Sequence, residues 1–156
     1  VKAEKPQRTL RTVPSAGARH AFETYLHVDR AVGLKPGLYR YSGLRHALAL
    51  LRETGEADRQ VLNEALNGQL FGAAAYFIWS AIPYRMSWSY SLAAAKLLAL
   101  DAGHVCQNLY LACEMLGCRT CGIAAYDQRK LDEYIGADGK EEFAIYAAPV
   151  GKRLAE

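Results

Sequence analysis

Cys118 and Cys121, in the run CRTC, have the CxxC spacing of a zinc half-site or of a thioredoxin-like dithiol. A structural zinc needs four ligands, and Cys106 and Cys113 could complete the set. Those two stand inside an apolar helical run, where cysteine acts as a small buried hydrophobe, so no metal site is expected. The other reactive side chains are dispersed. Ser15 and His20 lie close in one segment, but a Ser–His pair cannot be argued without geometry, and His20 reads as an ordinary surface or strand-edge residue. His104 lies mid-helix among apolar neighbours, where a hydrogen-bonded core histidine is expected. No P-loop, GxGxxG or GxSxG occurs. The most pointed feature is a loop. In RTVPSAGARHAFETYLHV, Arg11 to Val28, the residues Pro14, Ser15, Ala16, Gly17 and Ala18 precede a strand-like run. No bulky side chain is available there to fill space, which suggests that something else fills it.

The elements that must position these residues follow from period and punctuation. ETYLHV, Glu23–Val28, reads as a strand, GLKPG as a turn and LYRY, Leu38–Tyr41, as the second strand of a hairpin. Leu44, Ala47, Leu48 and Leu51 share one helical face and predict a helix that Gly55 ends. Asp58 can open a short second helix through Asn67. Ala73–Ile82 is apolar and aromatic without a helical stripe, as in a central strand buried on both faces. From Leu92 to Leu116 the chain is helical and apolar nearly all round, so that helix is expected to be buried in the core or against a partner subunit. Gly117 is a natural stop, CGIAAY a strand or extended loop, and Asp127 an N-cap for a helix to Tyr134. Glu141–Lys152 reads as the final strand. Strands alternating with helices around one buried helix give an α/β or α+β domain.

Composition limits the function. The chain has 156 residues, 51% hydrophobic and 22% charged, which suits one globular domain with a real core. Its net charge of +3 comes from scattered Lys and Arg without a basic, aromatic-interleaved stripe, so nucleic acid is not an expected partner. The longest apolar stretch, Leu70–Pro83, is too short to span a bilayer. No signal-peptide pattern is seen, and reduced thiols in the cytoplasm are expected. The chain begins with Val and is read as processed, trimmed or incompletely covered.

In their order, the segments RTVPSAGARHAFETYLHV, GLKPGLYRY, DAGHVCQNLYLACEMLGCRTCGIAAYD and GADGKEEFAIYAAPVGK resemble the nitroreductase family of flavin enzymes. Within it they look most like the SagB-type dehydrogenases associated with thiazole and oxazole formation in peptides. The resemblance runs from Arg11 to Lys152. It implies an α+β, nitroreductase-like fold: a central, mostly antiparallel sheet flanked by helices, with the long buried helix at a homodimer interface. The domain would span 11–153 without the family's usual N-terminal helices, after a polar lead-in at 1–10. FMN would bind between the subunits, with NAD(P)H as electron donor and a small molecule as acceptor, in a ping-pong cycle. Pro14, Ser15, Ala16, Gly17 and Ala18 would admit the flat ring and offer it backbone N–H groups. Cys121, Gly122 and Ile123 would lie near its reactive face. Lys152 and Arg153 would meet the phosphate, with Arg8 and Arg11 as further cations. Tyr90 is the candidate catalytic acid or substrate contact.

Two departures bear on activity. The family's early Arg-Arg-Ser element, which grips the phosphate, is not in this sequence. Ahead of the long helix, where the azole-forming branch has Lys-Tyr, WSYSLAAAK keeps Tyr90 but has Ser89 for the lysine. It also has Ala93 for one arginine, with Lys96 standing for the next. A serine cannot take a heterocycle proton unaided, so azoline oxidation is not expected. The rival expectations are a non-catalytic dimer of the same fold and, more weakly, a zinc module built on the four cysteines.

Overall fold

The computed structural model describes residues 11–152. Its centre is a six-stranded sheet in which all neighbours run antiparallel. The strands, in chain order, are β1 (Phe22–Val28), β2 (Gly37–Ser42), β3 (Ala47–Glu53), β4 (Ala75–Ala81), β5 (Cys118–Thr120) and β6 (Phe143–Lys152). Their order across the sheet is β3-β2-β1-β4-β6-β5, so the aromatic run of β4 is central, as its unbroken apolar character predicts. The β1–β2 hairpin also forms, with Leu26 opposite Tyr39.

One expectation is overturned. Residues 47–53 form β3, paired with β2 through Tyr39–Leu50 and Tyr41–Leu48, where a helix was predicted. The stripe Leu44, Ala47, Leu48, Leu51 is a short apolar run, and such a run also carries the alternation Leu48, Leu50, Arg52. The open edge of β2 decides between the two periods by offering a ladder.

Helices cover both faces. On one face lie α1 (Glu56–Ala65) and α4 (Gln128–Ile135). Asp58 accepts the Gly55 N–H at the start of α1 at 3.0 Å, and Asp127 caps α4 by accepting from Lys130 N at 3.0 Å. Leu62, Leu66, Leu131 and Ile135 pack there on Tyr25, Leu38, Tyr76 and Ile78. The polar groups of this core are paired. Buried His27 sits between Asp29 (Nε2–Oδ1 2.5 Å) and the Tyr134 hydroxyl (2.6 Å from Nδ1). Tyr25 and Ser80 both donate to Glu142 Oε1, at 2.9 and 2.5 Å. Burial, with Glu142 alongside, pushes the Tyr25 phenol up to about 12.

On the other face lie α2 (Tyr84–Tyr90), a 3₁₀ turn at Ser91–Ala93 and α3 (Ala94–Met115). Met86, Ala94 and Leu98 pack on Ala21 and Ala81, and Cys106 packs on Trp79 and Ala148. The long helix is less buried than its composition predicts. One side meets the sheet, while Leu100, Tyr110, Leu111 and Met115 are exposed in the single chain, as is Leu92 in the turn before it. No helix among the described residues is long and apolar enough to cross a membrane.

Candidate functional site

The expected site residues fall into two groups on the α3 face of the sheet. The first surrounds a cleft of about 410 Å³ bordered by Arg11, Val13, Pro14, Ser15, His20 and Phe22, with Thr24, Tyr41, His46, Asp101 and Val105. Its floor is the outward side of β1, its far wall the β2–β3 hairpin, and its back wall α3.

Three contacts hold the small-residue loop in place. The buried Asp101 carboxylate accepts the Ala16 N–H, with both oxygens 3.2 Å from it. Ser15 Oγ accepts the His20 N–H at 3.0 Å. Arg85 of α2 donates to the His20 carbonyl and to Glu23. Gly17 has φ +57°, a left-handed conformation natural to glycine, and a Cβ there would collide with the Tyr90 hydroxyl. Part of the space left by the small residues is therefore taken by Tyr90, while Pro14 and Ser15 face the cleft. Ala16, Gly17, Ala18 and Tyr90 are not among the residues bordering the cleft. The Arg19 guanidinium lies 4.1 Å from the Trp88 ring centre, a further tie between loop and α2.

His20, Tyr41, His46 and Asp101 drew no role from the sequence, yet all four line the cleft. His20 is half-buried; burial first, then Arg11, holds its imidazole below the ordinary histidine range, against the opposing pull of Asp101. The Tyr41 hydroxyl lies 2.8 Å from His46 Nδ1 across the hairpin turn. A strand reading of 47–53 would have placed His46 in the hairpin turn beside Tyr41 of β2; the helix reading hid the pair. His104, expected in the core, is exposed, with Nδ1 4.0 Å from Asp101 Oδ1.

The second group lies where β5 leaves the sheet. Ile123 pairs with Ala147 through two backbone hydrogen bonds, of 2.7 and 3.1 Å. Gly122 N–H donates to the Tyr110 hydroxyl at 2.8 Å. A Cβ on Gly122 would come within 2.6 Å of the Tyr146 hydroxyl and 3.1 Å of Cys106 Sγ, so this close approach requires glycine. Cys121 is exposed and Cys106 buried; burial pushes the Cys106 thiol up, partly offset by the Tyr146 hydroxyl. Thr120 Oγ1, next to Cys121, is buried and has no hydrogen-bond partner. Lys152 is exposed at the end of β6, opposite Cys118. Arg8 and Arg153 lie outside the described residues. No cluster of His, Cys, Asp and Glu able to hold a metal occurs among the described residues.

Within one chain the two groups stay apart. From Asp101 to Tyr110 is nine residues of α3, a rise of about 14 Å. Arg11 lies by the Phe22 end of β1, and Lys152 lies beyond its Val28 end, about 20 Å away along the strands.

Comparison with known proteins gives this arrangement a family. The model of the nitroreductase family matches residues 4–152. A candidate nitroreductase of Methanocaldococcus jannaschii is 28% identical over 149 residues, covering 95% of this chain and 73% of the relative. The trifolitoxin-processing protein of Rhizobium leguminosarum bv. trifolii is 31% identical over 118 residues, 69% of this chain and 30% of that protein. The crystal structure of a candidate nitroreductase from Anabaena variabilis superposes with a TM-score of 0.83 at 29% identity, over 90% of this chain and 29% of that one. The protein belongs to the nitroreductase family, with the fold that its sequence resembles. It spans less than a third of the length of the last two proteins. Family membership supports an oxidoreductase.

Proposed function

We propose that the protein is an FMN-dependent oxidoreductase working as a homodimer, with its flavin held between two copies. The observation that carries this reading is the separation of the two groups along α3, with exposed Leu100, Leu111 and Met115 on the same helix. A second copy laid on that helix would cover the apolar side chains and set the Pro14–Ser15 loop of one protomer toward the Cys121–Ile123 loop of the other. The residues present fit a flavin. Thr120 offers an orphaned hydroxyl beside Cys121, Gly122 keeps its loop tight, and Lys152 stands at the sheet end as a cation for a phosphate, with Arg153 following it in sequence.

When bound, FMN would supply the electron relay from NAD(P)H to a small organic acceptor in a ping-pong cycle. The chain's own part is to bind and orient. Asp101 fixes the Pro14–Ser15 backbone, Tyr110 holds Gly122, and the β6 ladder holds Ile123. Tyr90 bears on Gly17 and shapes the loop from behind, which gives the expected acid a positioning part as well.

A second reading, a dimer that binds a flavin or another flat ligand or partner without turnover, is favoured by Ser89 in place of the branch's lysine. The absorbance spectrum of the purified protein, with and without added FMN, tests the first reading. A flavin band that stays with the protein through gel filtration supports it, and stoichiometric FMN that NADH and NADPH both fail to bleach supports the second. Sedimentation at micromolar concentration should show two chains; a stable monomer that carries flavin would refute the shared site.

A further inference from the structure

We propose that Cys113 and Cys118 form a redox-modification site, in which a small-molecule disulfide converts the two thiols into one reversible intrachain bridge between the end of α3 and β5. The site does not depend on the flavin reading.

The structure pairs the cysteines differently from their CxxC spacing. Cys118–Thr120 is strand, so Cys121 stands three extended steps from Cys118, about 10 Å away. Alternation also sends the two to opposite sides: Cys118 and Thr120 are half-buried, whereas Arg119 and Cys121 are exposed. Two cysteines so far apart, with diverging side chains, cannot bridge unless the backbone moves. Cys106 lies seven residues before Cys113, about 10 Å along α3, and the Tyr146 hydroxyl engages its thiol. The partner left for Cys118 is Cys113.

The way α3 ends brings these two together. Gly117 follows the Leu116 cap with φ +64°, and its N–H donates to the Glu114 carbonyl at 3.3 Å. A left-handed glycine at this point turns the chain back, so the residue after it lies over the third residue from the helix end. Those residues are Cys118 and Cys113. The neighbouring pair at the same five-residue spacing, Glu114 and Arg119, already meets as an ion pair on the exposed side. Cys118 is fixed in the sheet opposite Lys152, and its Sγ lies 3.8 Å from the Leu116 carbonyl oxygen, over the helix end. Cys113 is buried beneath it. Burial first, then the Cys118 thiol, pushes the Cys113 thiol up, as adjacent groups require. No metal-holding cluster of His, Cys, Asp and Glu includes them among the described residues, so the chemistry is that of a dithiol.

The half-exposed Cys118 reacts first. Its thiolate attacks one sulfur of glutathione disulfide and releases one glutathione, and the Cys113 thiolate then displaces the second. One disulfide breaks and one forms. Two protein thiols are oxidised, the oxidant is reduced to two thiols, and two protons pass from the protein to them. The bridge stands at the root of the Cys121–Ile123 loop and closes a short loop of the unfolded chain.

The test incubates the purified, reduced protein with glutathione disulfide, alkylates the remaining thiols and maps the peptides by mass spectrometry. A Cys113–Cys118 bridge should form, with two of the four thiols lost and both restored by dithiothreitol. The melting temperature should rise by about 5 °C on oxidation. Cys118→Ser, at a position outside the core, should abolish the bridge and the rise, while Cys121→Ser should leave both. A Cys118–Cys121 bridge, a bridge between two chains through Cys118, or a glutathione adduct that persists on Cys118 would each overturn the site. So would four free thiols after oxidation, or a bridged protein that melts lower than the reduced one.

Discussion

The two faces of the sheet are built to different ends. Toward α1 and α4 the apolar side chains are covered and the buried polar atoms answer one another: His27 with Asp29 and Tyr134, Ser80 and Tyr25 with Glu142. Toward α3 the chain leaves a cleft, exposed leucines and a hydroxyl without a partner. A face that satisfies itself stabilises the fold. The other face has bonds and apolar area to give, and the candidate site lies there.

The contrast is broken most directly by truncation. Leu62, fully buried between α1 and the sheet, should cost about 2–5 kcal/mol as Leu62→Ala in urea unfolding. Leu111→Ser, on the exposed side of α3, should change the unfolding of the single chain by only about 0.5 kcal/mol, yet turn two chains into one in the ultracentrifuge. A Leu62→Ala protein as stable as the parent would remove the distinction between the faces.

Smaller effects sharpen it. Lys152→Ala combined with Arg153→Ala should lower FMN affinity by about ten- to hundredfold and riboflavin affinity far less, measured by paired flavin titrations. Equal losses for both flavins would make these residues structural. Gly122→Ala should cost about 1–3 kcal/mol through the clash with Tyr146 and Cys106, and Tyr146→Phe in the same chain should recover part of it.

The faces should also respond oppositely to pH. Tyr25, raised to about 12, contributes stability that is complete below pH 10 and lost as pH rises from there through its folded value. His20 is lowered, so its contribution is present above pH 6.5 and lost as pH falls through its folded value. Tyr25→Phe should flatten the alkaline limb of the melting temperature and His20→Gln the acid limb. An acid limb that His20→Gln leaves intact would assign it to other groups.

Much of the fold was legible because its signals are local. Alternation marks β1, Asp127 and Gly136 bracket α4, and the aromatic run 75–81 has no polar face and becomes the central strand. Residues 47–53 were misread because seven residues satisfy two periods nearly equally, and only the β2 ladder separates them. The exposure of α3 was likewise hidden. An apolar helix implies a covering surface, but composition does not say whether its own chain supplies it. Of the site, Pro14, Ser15, Cys121, Gly122 and Lys152 stood out by type and order, while Tyr41, His46 and Asp101 look ordinary until the hairpin and helix converge.

The sequence by itself determined the family, the strands β1, β2, β4 and β6, and the small-residue and glycine positions where backbone must pass close to something else. These depend on residue type and near-neighbour spacing. Tertiary structure decided what those positions meet. Gly17 meets Tyr90, Gly122 meets Tyr146 and Cys106, and Arg11 meets the turn at Gly43. It also decided that the Pro14–Ser15 and Cys121–Ile123 loops lie apart along one helix, because a 22-residue helix is a rigid rod whose two ends one compact chain cannot bring together.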